Sequence, residues 1–332
     1  MKFKSLVIAT SLGATLMSMS VNCKKEQKAA PRAVASGALT AAETELLKHL
    51  PAGSQMVFGG NMFKMQKWFT ESPLAKLTQQ MMDPKMNAYN ACLIKLSDNM
   101  QVVGSVRFSD GGMTTRAFMK GFTITALAKC ATDAQLSTEL SDDGKFVAIT
   151  TEMMSIKSTS PYLAVEGGVY GGNSVAGFGG KEVTAAPREA LETEVAGLAK
   201  ASVATDSKIA GLLNKLDRKA TFWMVGNAAN TPAAAKVGDF FVTFSMADGL
   251  AVDGTVALVD SSDSEKLMRG VGEMKSKLDS IPANMNSLKE VLRALTVEKN
   301  NDGIRFGLKA SNSQLEAVVT QVGPMMKQFM PR

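Results

Sequence analysis

Two stretches of this chain restate one another. Leu46 to Asn61 reads LLKHLPAGSQMVFGGN and Leu212 to Asn227 reads LLNKLDRKATFWMVGN, aligned without a gap. Five of the sixteen positions are identical. Each copy runs from a Leu-Leu-x-x-Leu helix end through a polar joint into an apolar strand closed by Gly-Asn. Further along, Asp143-Gly144 and Asp302-Gly303 occupy comparable hairpins. A sequence that repeats a supersecondary unit is restricted to folds that stack or pair that unit, and 332 residues suit two domains. The expectation is an α+β protein of two similar units, 40–183 and 184–332, each an antiparallel sheet with helices packed on one face.

The remaining patterning agrees with that outline. Thr40-x-x-Glu43 is a capping box opening a short helix that ends at Leu50-Pro51. Gln55 to Gly60 reads as a buried strand, and Asn61 caps a helix carrying Met62, Met65 and Trp68. Ser72-Pro73 restarts that helix with Leu74, Leu77 and Met81 at helical spacing. In Gln101 to Phe108, Val102, Gly104, Val106 and Phe108 share one face, and Ser105 and Arg107 lie on the other. Asp110-Gly111-Gly112 turns that strand into Thr114 to Lys120, and Asp142-Asp143-Gly144 turns a second hairpin. The Gly-rich stretch from Gly167 to Gly180 reads as a loop. Beyond it come a strand from Ala220 to Gly226, an alternating strand through Phe240, Val242 and Phe244, and a helix from Ser262-x-x-Glu265. Ser313-x-x-Glu316 caps a final helix. The alternating strands imply one buried and one comparatively polar sheet face.

The N-terminus sets the compartment. Lys2 and Lys4 precede an uncharged run from Leu6 to Val21, the layout of a secretory signal peptide over residues 1–22. Cys23 follows at once, and this resembles a bacterial lipoprotein signal, in which that Cys becomes the lipidated first residue. Ser20 and Asn22 depart from the residues that pattern prefers, and Ser18 with Ser20 supplies a competing cut after Ser20 that would release a soluble periplasmic chain. The expected protein is anchored in the cell envelope through lipid on Cys23, with residues 23–39 as a flexible tether, facing the periplasm or the cell exterior. Charge agrees with that placement. The chain carries +6; losing Lys2 and Lys4 leaves +4. Four bases against one acid between Lys24 and Arg32 supply +3 of that, so the body carries +1. The basic balance is a membrane-proximal feature, and nucleic acid is not an expected partner.

With Cys23 lipidated, Cys92 and Cys130 remain as an even pair in an oxidising compartment. A bridge between them would clamp a strand hairpin between two helices and contribute about 3–4 kcal/mol; two separately buried thiols are the alternative.

Three features place the chain near a family. Leu50-Pro51-Ala52 enters the first apolar strand, Cys92 and Cys130 bracket the first hairpin, and a Leu-x-x-Leu-Asp segment leads to a Phe-Trp strand between Leu213 and Trp223. In these it resembles uncharacterised predicted lipoproteins of myxobacteria and their relatives. The resemblance implies lipidation and a two-unit fold. That family carries no assigned activity, so no catalytic residues transfer.

Chemistry-bearing motifs are scarce. His49 is the sole histidine, which excludes two-His zinc motifs, and it sits at a helix end where it can meet terminal carbonyls. No Gly-x-Ser-x-Gly, Ser-x-x-Lys or Cys-x-x-Cys occurs. The run GGVYGGNSVAGFGGKE is not a phosphate loop, because Val175 stands where Gly is needed and Glu182 follows Lys181. The 22 methionines fall mostly on apolar helical faces and read as core. No cofactor or metal is expected. The expected function is a non-enzymatic envelope component that binds or scaffolds a protein partner; the alternative is a carrier or sensor of an apolar small molecule.

Overall fold

The computed structural model describes residues 41–75, 83–96, 100–109, 112–153, 156–175, 187–217, 220–227, 237–280, 282, 285–300 and 303–329. The signal, Cys23 and its tether lie outside the described residues, as do Leu77, Met81 and the turn residues Asp110, Gly111, Asn301 and Asp302.

The described chain forms two compact units, one of residues 41–227 with 241–247 and one of 237–240 with 248–329. The larger unit holds α1 (Ala41–Leu47), β1 (Met56–Asn61), α2 (Met62–Glu71), α3 (Pro84–Ile94), β2 (Gln101–Ser109) and β3 (Gly112–Lys120). It continues through α4 (Ile124–Asp133), β4 (Ser137–Leu140), β5 (Phe146–Met153), β6 (Ile156–Val165), β7 (Gly168–Val175), α5 (Arg188–Gly197), α6 (Ser207–Leu213) and β8 (Phe222–Asn227). Its strands run β8-β1-β2-β3-β7-β6-β5-β4, and the pairings are antiparallel.

Local chemistry explains the helix starts. Asn61 accepts the Lys64 amide at 2.8 Å, Thr123 accepts Ala126 at 3.1 Å, and Asp206 accepts Lys208 and Ile209 at 2.9 and 3.1 Å. Each satisfies amides that the first helical turn leaves without an intrahelical partner. Pro84 follows the Asp83 cap at the first helical position, where its missing N–H costs nothing.

Helices cover both faces of the larger sheet, where one covered face was expected. Val57, Val103, Phe118 and Tyr170 pack under Leu46, Leu47 and Leu50 of the first helix and its exit, Leu191 of α5, and Leu212 and Leu213 of α6. Their chain neighbours Val102, Met119 and Val169 point the other way and pack with Tyr89, Leu93, Leu127 and Ala131 of α3 and α4. The reason lies in β2, β3 and β7, whose consecutive positions are all apolar at these points. A strand that is apolar at both parities needs two covers.

Two further expectations change. Gly168–Val175, read as part of a loop, is β7, hydrogen-bonded between β3 and β6. Its glycines are spacers: a Cβ on Gly172 would stand 2.5 Å from Leu191 Cδ2, so the bare backbone lets α5 approach. The segment Arg188 to Asn227, expected to open the second unit, belongs to the larger one. There β8 pairs with β1, and Leu191, Leu212 and Leu213 share a core with Leu46 and Leu47.

The two copies of the sequence match are therefore paired with each other. Met56 to Gly60 lies antiparallel to Gly226 to Phe222, with Phe58 opposite Met224. The ends match as well: the Asn61 amide donates to Thr221 O at 3.0 Å, and the Asn227 amide donates to Gln55 O at 2.7 Å.

Strand β9 (Val237–Ser245) begins in the smaller unit and ends in the larger. The smaller unit continues through β10 (Gly249–Leu258), α7 (Ser261–Lys277), α8 (Asn286–Arg293), β11 (Thr296–Asn300), β12 (Gly303–Ser311) and α9 (Asn312–Phe329). Its β10, β12 and β11 pair in that order. Val252 and Ile304 are buried on one face, and Val271 of α7 and Leu315 of α9 are buried as well. The other face carries the Asp253–Arg305 ion pair, whose two hydrogen bonds are 2.9 and 3.2 Å long. The cap of α9 is Ser311 with Gln314 rather than Ser313 with Glu316. Ser311 Oγ accepts the Gln314 amide at 3.2 Å, and Gln314 Oε1 accepts the Ser311 amide at 2.9 Å.

Candidate functional site

The β2–β3 register places Ser105 opposite Arg116 and Arg107 opposite Thr114. In an antiparallel pair these four side chains share a face, with the two arginines diagonal to each other. On that same face Val103 and Phe118 are buried beneath the helices. The polar quartet begins where that helical cover gives out, at Gly197 and Leu198, the end of α5. The opposite wall is backbone. Pro51 bridges Ser202, the Val203 amide donates to Leu50 O at 2.9 Å, and the Ala52 amide donates to Ala201 O at 3.4 Å. Together these residues enclose an open cleft of about 470 Å³ within the larger unit.

Its charges are arranged unequally. Arg116 Nε donates to Glu194 Oε2 at 2.8 Å, with both side chains largely covered, and its Nη1 donates to Thr115 O at 3.1 Å. Arg107 is exposed, and its one hydrogen bond among the described residues runs from Nη2 to Ala52 O at 2.6 Å. Two cationic side chains and one carboxylate therefore line the cleft, a net charge of +1. Beside the Arg116–Glu194 pair stands Tyr170, fully buried, whose hydroxyl makes no hydrogen bond of regular geometry but interacts with both Glu194 and Arg116. Burial, reinforced by the Glu194 charge, holds its pKa well above the usual phenol range.

Glu194 is positioned by the fastening of α5. Arg188, in the first turn of that helix, makes a two-pronged ion pair to Asp143 in the β4–β5 turn and a second bond to Glu192 at 2.9 Å. The Arg188 guanidinium, with help from Ser141 and the Lys145 amide, draws the Asp143 carboxyl far below its ordinary range.

The residues singled out from sequence fall elsewhere. Cys92 and Cys130 are disulfide-bonded, with their Cα atoms 5.6 Å apart, and tie α3 to α4 on the sheet face away from the cleft. His49 stacks flat on Phe118, with ring centroids 3.7 Å apart and planes 6° from parallel. Arg116, Tyr170 and Glu194 carried no sequence motif. The signal available was Ser105 with Arg107 on the polar side of an otherwise apolar strand, which reads equally as a solvated face. The cleft is charged along one wall, unlike the apolar chamber that a carrier of an apolar molecule requires. No helix among the described residues is long and apolar enough to cross a membrane.

No family model and no curated protein matches the chain. Among solved structures it is similar to two crystal forms of TP0453. Crystal form I gives a TM-score of 0.39 at 9% identity, over 83% of this chain and 96% of that one. Crystal form III gives 0.42 at 10% identity, over 82% and 97%.

Proposed function

We propose that this protein is a non-enzymatic component of the bacterial cell envelope, held at a membrane through lipid on Cys23, and that it works by binding a protein partner. The observation that carries the reading is the cleft. It presents an arginine without an acid partner among the described residues and two hydroxyls on paired strands, facing a backbone wall, which is equipment for holding a group rather than transforming one. The sole histidine is committed to Phe118 instead of standing beside a nucleophile. The Cys92–Cys130 bridge suits an oxidising compartment, and the basic residues from Lys24 to Arg32 suit an anionic membrane surface.

Native mass spectrometry of protein extracted gently from its own membranes tests this. The expected species is an acylated chain beginning at Cys23, two hydrogens light for the disulfide, with a stoichiometric protein companion. An unmodified chain beginning at Val21 would remove the anchor. Turnover of an envelope ester, peptide or glycan, abolished by a point mutation, would overturn the non-enzymatic reading.

A further inference from the structure

Resting on the partner-binding reading, the geometry points to the chemistry of what is bound: the cleft receives the free C-terminal carboxylate of a peptide chain, held between the Arg107 and Arg116 guanidinium groups.

Charge selects the class of group. The lining carries one positive charge in excess, so a monoanion neutralises it where a phosphate dianion would overshoot. Geometry selects the carboxylate. Two diagonal guanidinium forks, with the Ser105 and Thr114 hydroxyls on the same face, supply planar pairs of donors that match a carboxylate's two oxygens. The site already holds one carboxylate, through a single bond from Arg116 Nε to Glu194 Oε2 at 2.8 Å. The rest of the lining selects the body behind that group. Ala52, Gly197 and Ala201 are small, Pro51 and Leu198 are apolar, and about 470 Å³ is the size of a small-ligand site. A main chain with small side chains suits that lining.

The Tyr170 hydroxyl stands beside the Arg116–Glu194 pair and interacts with both of its members. When an incoming carboxylate draws Arg116 toward itself, Tyr170 remains as a donor to Glu194, so the acid is not left buried without a partner.

The test is calorimetric titration of the full mature chain with N-acetyl-Ala-Ala as the free acid, against its C-terminal amide, acetate and inorganic phosphate. The free acid should bind at least about tenfold more tightly than any of the other three, the worth of one charge-assisted contact. Arg107→Ala should weaken the acid by about tenfold and leave the amide unchanged. Tyr170→Phe should weaken the acid and leave the amide unchanged, a selectivity that a purely structural tyrosine would not give. Equal affinity for acid and amide, no saturation by the acid, or acetate or phosphate binding as well as the peptide would each overturn the proposal. Native mass spectrometry of the wild type and Arg107→Ala separates this from the broader reading. A companion retained by both proteins while the peptide fails sinks the carboxylate site alone, and no companion on the wild type sinks partner binding itself.

Discussion

Phe58 lies directly opposite Met224 in the β1–β8 pairing, and the two occupy the same position of the sixteen-residue sequence match. The pairing is thus centred on one residue and its own counterpart. The bonds from Asn61 to Thr221 and from Asn227 to Gln55 are related in the same way. The two copies meet as the halves of a two-fold dimer would, each surface serving as its own partner.

This junction depends on aromatic rings lying over bare backbone. A Cβ added to Gly59 would come within 2.5 Å of the Trp223 ring, and one added to Gly104 within 2.1 Å of the Phe58 ring. Gly59→Ala should destabilise the protein by about 1–3 kcal/mol through overpacking. Chemical denaturation should show the loss as a lower midpoint at unchanged slope.

The disulfide closes a loop with a sequence separation of 38 between α3 and α4. Cys92→Ser with Cys130→Ser should cost up to about 4 kcal/mol, because the unfolded chain regains the freedom that the loop denied it. Wild type under reducing conditions should fall to the stability of the double variant. A gap between the two would mean that the serines carry a penalty of their own.

The Arg116–Glu194 pair is mostly covered, so breaking it from one side leaves a charge poorly compensated. Arg116→Met and Glu194→Leu should each cost about 1–3 kcal/mol. The double variant should cost less than the sum of the two. A double-mutant cycle on the unfolding midpoint reads the difference directly.

His49 should make stability fall on acidification. Burial against Phe118 lowers its pKa below the free value, Glu45 opposing and Lys48 adding to the shift. The unfolded chain therefore takes up the proton first. The stabilisation is complete above about pH 6.5 and is lost as the pH falls through the depressed folded value. Compared with wild type, His49→Gln should show a flatter thermal midpoint between about pH 7 and pH 5. Identical slopes would place the histidine outside the acid response.

The Arg188–Asp143 pair ties the first turn of α5 to the β4–β5 turn. Arg188→Ala should speed amide exchange in α5 and raise the Asp143 pKa toward the ordinary carboxylate value. Global stability should change little, since both groups are solvated. NMR titration of Asp143 together with hydrogen exchange would record both effects.

Much of this architecture is local and could be read along the chain. Asn61 announces a helix start because a side-chain oxygen three positions ahead of an orphan amide works in any fold. The hairpins at Asp143-Gly144 and Gly112 follow from turn residues, and counting thiols offers a Cys92–Cys130 bridge beside the alternative of two buried thiols. The sixteen-residue match relates the β1 and β8 stretches to each other but does not say that they pair inside one compact unit. Sequence order carries no information about which strand edge finds which. The glycines of β7 signal a loop when read along the chain, and it is Leu191 against Gly172 that explains why they lie in a strand.

The cleft was decided by tertiary structure alone. Arg107 and Arg116 become neighbours through hairpin register, Glu194 arrives on a helix 78 residues further on, and Tyr170 comes from another strand. The apolar alternation required that this sheet face be covered; where the cover stops depends on how α5 packs. A gap between packed elements belongs to no single segment, which is why no local pattern encodes it.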